Sequence, residues 1–422
     1  DWRPVFEMFG APDDLFDRIK DLEWDQELRP YLYLDLHVEA PMPDGMMKLD
    51  EVLSSFDNGK RPRLVRFKET LVNPNNFGGV DPSALRSVPL NELTPTDVFE
   101  KMYLLKHGQP PTDEILTAFM SLLTDEQLDL IQGNLEMQVL IGALCDNYDR
   151  IGSVNIAFTD KGAETYALDE VDRIEIARFI TPFMNKNRRP DTVPYDWDID
   201  GVASILTDPD IRAQHDIWFE LDVFGVPYAA NDEINGCEGR NDVFRGWLAL
   251  RTDSTDEPRG FDTMVPLAMK ETFNDFQDGA SDELGLTRKT LTIDIPEDVE
   301  HAELVLITSN HGANQGGEEY IRRDHFVYLD GELALQYKPG RDSCEPWRMY
   351  NTQGNGIYGT SPRSDEEWQS FSNWCPGDKI DTRVIEWGTV SAGEHEFVIE
   401  VPDAEFADDQ GNFPFSLYLQ TR

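Results

Sequence analysis

Basic residues are scarce in this chain. Against 81 Asp and Glu stand 37 Lys and Arg, a formal net charge of -44 over 422 residues. The excess acid is spread along the chain rather than collected in one tail, so nucleic acid and anionic membrane surfaces are expected to repel it, and the charge reads as a solubility device of the kind suited to a saline habitat. Long apolar runs are also missing. The longest, such as VLIGAL at 139–144, are far too short to cross a bilayer, so no membrane insertion is expected. There are four cysteines, Cys145, Cys237, Cys344 and Cys375, and no CxxC spacing, which excludes a zinc ribbon and a thioredoxin-like redox pair but leaves a disulfide open. The seven histidines are scattered singly, so no catalytic metal is expected. No GxxxxGK, HExxH or GxSxG occurs, and GNGIYG at 354–359, although it fits GxGxxG, has no strand before it and TSPRSD after it. That stretch reads as a glycine-rich loop, and no cofactor is expected. The sequence opens at Asp1 without Met or a basic-apolar leader, which suggests a mature form that has lost a signal peptide and is secreted, periplasmic or on the cell surface.

What the chain does have is two kinds of periodicity. Residues 1–133 carry most of the helical signals: APDDLFDRIKDLEW, TPTDVFEKMYLLKHG with Thr94 as cap, Pro95 at the first position and Gly108 as stop, and TDEQLDLIQG with a Thr124/Gln127 capping box. With the strand-like YLYLDLHVEAP and RPRLVRFKETLV between them, they predict a small mixed α/β accessory domain. From 134 the pattern alternates. LEMQVLIGAL, RIGSVNIAF, DRIEIARFI, HDIWFELDVFG and FRGWLALRTD predict a first antiparallel sandwich over 134–273. After an Asp, Gly and Ser-rich linker at 274–285, LTIDI, AELVLITS, HFVYLDGELALQY, TRVIEWGTV, EHEFVIEV and FSLYLQ predict a second over 284–422, the two being similar enough in length to be paired jelly rolls. The fold class is therefore mainly β.

Three stretches gather charge. GGEEYIRRDH at 316–325 reads as strand, with Glu319, Ile321, Arg323 and His325 on one face and Glu318, Tyr320, Arg322 and Asp324 on the other; by itself it is most simply a solvated edge. In CDNYDRIGSVNIAF, 145–158, a turn feeds a strand whose even positions Gly152, Val154, Ile156 and Phe158 are apolar or small, so Asp149 and Arg150 stand at a strand's mouth above a core. In DIWFELDVFG, Glu220 shares a face with Trp218 and Asp222 while Ile217, Phe219, Leu221 and Val223 form the buried side.

In order along the chain, CDNYDR, IARFITPF, Glu220 in IWFEL, GGEEYIRRDH and NWCPGDKIDTR resemble the peptide-N-glycosidase F family of bacterial amidases, over about 135–422. The resemblance implies two consecutive eight-stranded antiparallel jelly rolls packed side by side, with the site in the cleft between them. It implies hydrolysis of the amide joining the innermost N-acetylglucosamine to asparagine in N-glycosylated proteins or glycopeptides, which releases the intact glycan and leaves aspartate. Asp149 matches the family's principal catalytic aspartate, and Glu220 and Glu319 its two essential glutamates. Arg150 and Arg383 match arginines beside the acid cluster, His311 in SNHGAN a site histidine, and Trp374 the WCP loop. Tyr148 stands where the family usually has Trp, and Gly317 and Ile321 where well-known members place a disulfide pair. Cys344 and Cys375 match a family disulfide, which points to export. Cys145 matches a half-cystine whose usual partner is missing, and pairing with Cys237 is one option.

Amide hydrolysis at neutral pH needs an activated water, a stabilised oxyanion and a proton for the departing nitrogen. The expected division has Asp149 as base or water-orienting group, kept ionised by Arg150 and Arg383, with Glu319 and Glu220 on sugar hydroxyl or N-acetyl groups and aiding protonation. Tyr148 and Trp374 would stack on sugar, and Arg323 would face the cleft beside Glu319, with Glu318 and Arg322 solvated. A monomer acting on a glycosylated polypeptide is expected. The rivals are a catalytically silent carbohydrate-binding protein on the same scaffold, a copper monooxygenase of paired jelly rolls, and a two-carboxylate glycosidase that leaves asparagine unaltered.

Overall fold

A computed structural model describes residues 63–66, 118–123, 125–131, 134–163, 166, 171–225, 232–238, 243–253, 260–275, 287–311, 318–370, 373–405 and 412–422. The helices expected at 11–24 and 94–108, the strand at 31–41 and the linker beyond 275 lie outside these residues. The described residues form four antiparallel sheets, and the chain divides into two compact units, one of 1–150, 158–165 and 185–259, the other of 151–157, 166–184 and 260–422.

In the first unit, β1 (Arg63–Arg66), β3 (Asn134–Ala143), β6 (Thr192–Asp198) and β8 (Phe244–Asp253) make a sheet ordered β1-β8-β3-β6. Alternation drives it: Leu135, Met137, Val139 and Ile141 on β3 are fully buried. A second ladder joins β2 (Ala118–Leu122) to β7 (His215–Val223), Met120 opposite Glu220. Gly246 of β8 meets β7 so closely that a Cβ would lie 2.6 Å from Leu221 Cδ2, which is why that position has no side chain. The short helix α1 (Asp125–Leu128) stops early, because Leu130 and Ile131 already donate to carbonyls three residues back. Two helices were not expected: α2 (Asp200–Thr207), which buries Val202, Ala203, Ile205 and Leu206, and α3 (Pro209–Gln214), capped by Asp208 with Pro209 in its first turn.

In the second unit two sheets close on one core. β10 (Arg288–Ile295), β12 (His325–Leu329), β13 (Glu332–Tyr337) and β15 (Gly393–Glu400) are ordered β10-β15-β12-β13. β9 (Thr263–Asp275), β11 (Val299–Thr308), β14 (Thr382–Val390) and β16 (Asn412–Thr421) are ordered β14-β11-β16-β9. Val327, Phe397 and Ile399 of the first meet Leu304, Leu306, Phe415 and Leu417 of the second in a single apolar cluster, so this unit is a β-sandwich. The Ile151–Ala157 part of β4 (Ile151–Asp160) and β5 (Asp172–Ile180) also belong here. A Cβ on Gly152 would lie 2.2 Å from the Phe179 ring, so the glycine expected only as small is required by a close approach.

Most expected strands match these within a residue or three, but β2 was missed, as was the pair β6 and β9. Each carries a proline, Pro194 or Pro266, and each is an outer strand of its sheet, where a missing N–H is tolerated. On β6, Val193, Tyr195 and Trp197 are buried and alternate with exposed Pro194, Asp196 and Asp198. β9 lies before the Asp and Gly-rich segment yet pairs with β16, Met264 opposite Gln420.

The strand expected at 316–325 is corrected. Residues 318–320 form a turn, 321–324 are irregular, and strand begins only at His325. Glu318 and Arg322 are not solvated partners either: Glu318 is 0% exposed, and Arg322 Nη2 donates to the carbonyls of Arg341 and Trp368.

Both disulfides form, Cys145–Cys237 and Cys344–Cys375. The second closes a loop organised around Glu345, whose carboxylate accepts from Arg348 through Nε and Nη2, from the Arg363 backbone N–H and from Trp368 Nε1. GNGIYG lies in this loop without strand or helix, and Asn355 Oδ1 accepts from the N–H groups of Ile357 and Tyr358. The Arg348 hydrogen bond, with smaller help from the other donors, holds the Glu345 carboxyl down to about 2, below the usual 4.5. A depressed folded-state pKa contributes stability above the unfolded value that is lost as pH falls through the folded one. Glu345→Gln should therefore lower stability at pH 7 by on the order of 1–2 kcal/mol, after allowing for solvent screening, and the deficit should shrink between pH 4.5 and 2. Urea denaturation across that range measures it; a pH-independent deficit would contradict the assignment.

Candidate functional site

The first unit holds Asp149, Arg150, Tyr148 and Glu220. The turn before β4 is built on Asp146, fully buried, whose Oδ1 accepts from the Tyr148 N–H at 3.1 Å and whose Oδ2 accepts from Arg150 Nε at 2.8 Å. The acid that Arg150 Nε engages is Asp146. The Arg150 guanidinium lies 5.0 Å from the Tyr148 ring and 5.7 Å from that of Phe224. Asp149 is half-buried between these two residues of the turn. Tyr148 is exposed, as a stacking surface must be, and its hydroxyl donates to Glu233 Oε1 at 2.9 Å. Asn147 Nδ2 donates to the other oxygen of the same carboxylate at 2.7 Å. The hydrogen bond to Glu233, then burial, raise the Tyr148 phenol above its ordinary value.

Glu233 was missed. Nothing in NDEING marks it, but the Cys145–Cys237 bond ties its segment to the Asp149 turn, so the undecided cysteine pairing was the signal that would have found it. Glu220 sits mid-strand on β7 and is 1% exposed, and its face-mate Trp218 is buried too, with Nε1 donating to Thr159 Oγ1 at 3.2 Å. Both faces of the middle of this strand are buried, which replaces the expected one-sided alternation.

The second unit holds Glu319, Arg323, His311, Trp374, Arg383 and the Cys344–Cys375 loop. Glu319 lies in the 318–320 turn, nearly buried, and Asn373 fastens that turn by donating from Nδ2 to the carbonyls of Glu318 and Glu319. Arg323, expected beside Glu319 in the cleft, instead forks onto Glu318 at 3.1 and 2.9 Å, and the Glu405 N–H donates to the same carboxylate. Trp374 is corrected as a stacking platform: it is 5% exposed, packed with Ile180, Ile307 and Ile380, and its indole N–H donates to the Asn310 carbonyl at 3.0 Å. His311 Nε2 is 2.8 Å from Ser309 Oγ and its ring centroid 6.1 Å from that of Trp374. Desolvation, then the Arg178 charge, hold the His311 imidazole neutral, with a pKa of about 3. The Arg383 guanidinium lies 3.9 Å over the Tyr337 ring, which stacks on His325 at 4.7 Å and bonds Thr308 Oγ1 through its hydroxyl at 2.7 Å. Its acid partner is Asp381, at 3.6 Å.

Trp374 and Arg383 do come together. With Thr308, Ser309, Arg341 and Asp378 they line a shallow surface hollow, in which Arg341 is fixed by Asp378 and Asp381. Such a surface offers hydroxyl, carboxylate and guanidinium groups to a polar ligand.

With the geometry in place, comparison with known proteins is informative about class. The sandwich architecture is that of PNGF-II, whose solved structure shares 20% sequence identity and a TM-score of 0.52 over 72% of this chain and 60% of that one. The match thus spans about three fifths of PNGF-II. PNGase F of Flavobacterium meningosepticum, described as a glycosylasparaginase, is 14% identical with a TM-score of 0.47, covering 72% of this chain and 89% of that one. No protein among curated sequences matches. The model for the N-terminal part of peptide-N-glycosidase F matches residues 112–238, and that for the C-terminal part residues 282–420. The chain belongs to the peptide-N-glycosidase F family.

The Arg323–Glu318 pair gives a direct test. Arg323→Leu leaves a fully buried carboxylate without its guanidinium and should cost about 3–5 kcal/mol of stability in denaturant titration. A loss below about 1 kcal/mol would return Arg323 to the role of a free ligand-facing group.

Proposed function

We propose that this protein is an amidase that cleaves the bond between N-acetylglucosamine and asparagine in N-glycosylated proteins or glycopeptides. The observation that carries the reading is family membership together with Asp149 standing in a turn braced by a buried aspartate, a guanidinium and a disulfide. Geometry that rigid is what a water-orienting group needs.

In this reading Asp149 takes a proton from water as the oxygen attacks the side-chain carbonyl carbon of the glycosylated asparagine. The carbon–nitrogen bond then breaks, the nitrogen leaves protonated on the sugar, and aspartate remains in the polypeptide. Glu220 and Glu319 hold sugar hydroxyl or N-acetyl groups and assist the proton transfer. Tyr148 offers an exposed aromatic face to sugar, and the polar hollow around Arg383 offers ligand contacts. His311, neutral at physiological pH, serves as a hydrogen-bonding group rather than a charge. The finer fold reading, paired eight-stranded jelly rolls, belongs to the same proposal. So does export from the cytosol, which the two disulfides support.

Incubation of the whole chain with a denatured glycoprotein in heavy-oxygen water, followed by mass spectrometry, should find labelled aspartate at former glycosylation sites and intact released glycan. Asp149→Asn should lower that rate by at least about 100-fold with the melting temperature nearly unchanged. Glycan binding without conversion would favour the carbohydrate-binding alternative, and a fully active Asp149→Asn variant would remove the assigned base.

A further inference from the structure

Outside the residues discussed so far, the sheet β14-β11-β16-β9 carries a row of polar groups that no catalytic reading uses. Glu303 of β11 stands directly opposite Glu386 of β14 and directly opposite Gln420 of β16, so the three share one face of the sheet. Two carboxylates in cross-strand register repel, and one of them is deeply placed: Glu303 is 4% exposed, whereas the Glu386 side chain is 64% exposed. Among the described residues neither forms an ion pair with Lys or Arg; their shared partner is His301, with Nε2 at 3.0 Å from Glu303 Oε1 and 3.7 Å from Glu386 Oε2.

Local structure brings the histidine in. The pairing of β11 with β14 is irregular between Val299 and Glu303, and a bulge of this kind re-aims a side chain. The His301 ring is braced against Phe261, centroids 6.3 Å apart, and its backbone exchanges hydrogen bonds with Arg422. Gln420, opposite Glu303 on β16, is 4% exposed and adds an amide to the row.

We propose that His301, Glu303 and Glu386 bind one divalent transition-metal ion of the zinc type, with the Gln420 amide oxygen available as a fourth ligand, so that the ion clips β11, β14 and β16 together. Tetrahedral bonds of 2.0–2.2 Å set ligand atoms about 3.4 Å apart, and the two measured separations fall on either side of that. All three ligand atoms lie within 4.8 Å of one another. One imidazole nitrogen with two carboxylate oxygens suits zinc or a neighbouring first-row ion better than calcium, which takes six to eight oxygens. The strongly acidic chain would concentrate such cations around itself.

The test uses the whole chain, stripped with a chelator and titrated with Zn²⁺ by calorimetry, with Co²⁺ absorption as a report on geometry and thermal unfolding as a report on the clip. Wild type should take up Zn²⁺ one-to-one, show tetrahedral Co²⁺ bands and melt higher when loaded. Glu386→Gln changes a mostly exposed side chain and should fold normally while weakening Zn²⁺ by at least about tenfold; His301→Gln should do the same. Absence of one-to-one binding would overturn the site, and so would affinity untouched by both substitutions. Ca²⁺ binding as tight as Zn²⁺ would overturn the class of ion. None of these readouts depends on amidase activity.

Discussion

A charged pair with almost no access to water underlies the second unit. Glu175 and Arg178 of β5 lie within its interior, Arg178 donating to Glu175 from both Nε and Nη2. Removing two charges from water costs several kcal/mol each, so the pair persists only if its remaining valences are met. They are: Arg178 Nη1 donates to Ser309 Oγ and the Pro414 carbonyl, each at 2.8 Å, and Ser416 donates to Glu175. Burial alone would raise the Glu175 carboxyl; the Arg178 charge and hydrogen bonds outweigh it and hold it below its ordinary value. The partners come from β16 and from the end of β11, so the pair fixes β5 to that sheet. From β5 the backbone continues the work of placement, Ile180 bonding Gly377 and Asp378, and the Arg178 carbonyl accepting from Ile380. Residues 378–381 are thereby set along the hollow that Arg341 and Arg383 line.

The same arrangement recurs at smaller scale. Glu318 is met by Arg323, Asp146 by Arg150, Glu345 by Arg348 and Asp378 by Arg341. In a chain with more than two acids for every base, several arginines are committed to acids that the fold encloses. Among the described residues Glu303 has an imidazole beside it where those acids have a guanidinium, and that difference is what makes the His301 row stand out.

How much of this could be read beforehand divides along physical lines. Alternation over several residues is a local property, so β5, β8 and β14 were legible to the residue. Proline hid β6 and β9, because its penalty depends on whether a strand is central or outer, which a single stretch does not reveal. The 316–325 misreading has the same root. Charges that alternate in sequence suggested two solvated faces, yet Glu318 and Arg323 bond across a turn, at a spacing no strand would bring together. Motifs single out Asp149 and Glu220 as candidates, whereas Glu233 and the Glu303–Glu386 register depend on a disulfide and a sheet pairing between segments far apart in the chain.

The central claim, that an enclosed ion pair holds β5 against the β14-β11-β16-β9 sheet, is tested most directly by a double-mutant cycle on Glu175 and Arg178 in chemical denaturation. Arg178→Met alone and Glu175→Leu alone should each cost about 3–5 kcal/mol, and the double variant should recover much of that loss because no uncompensated charge remains. Single losses that simply add in the double variant would contradict the account, since they would show that each residue contributes through packing and not through the other's charge.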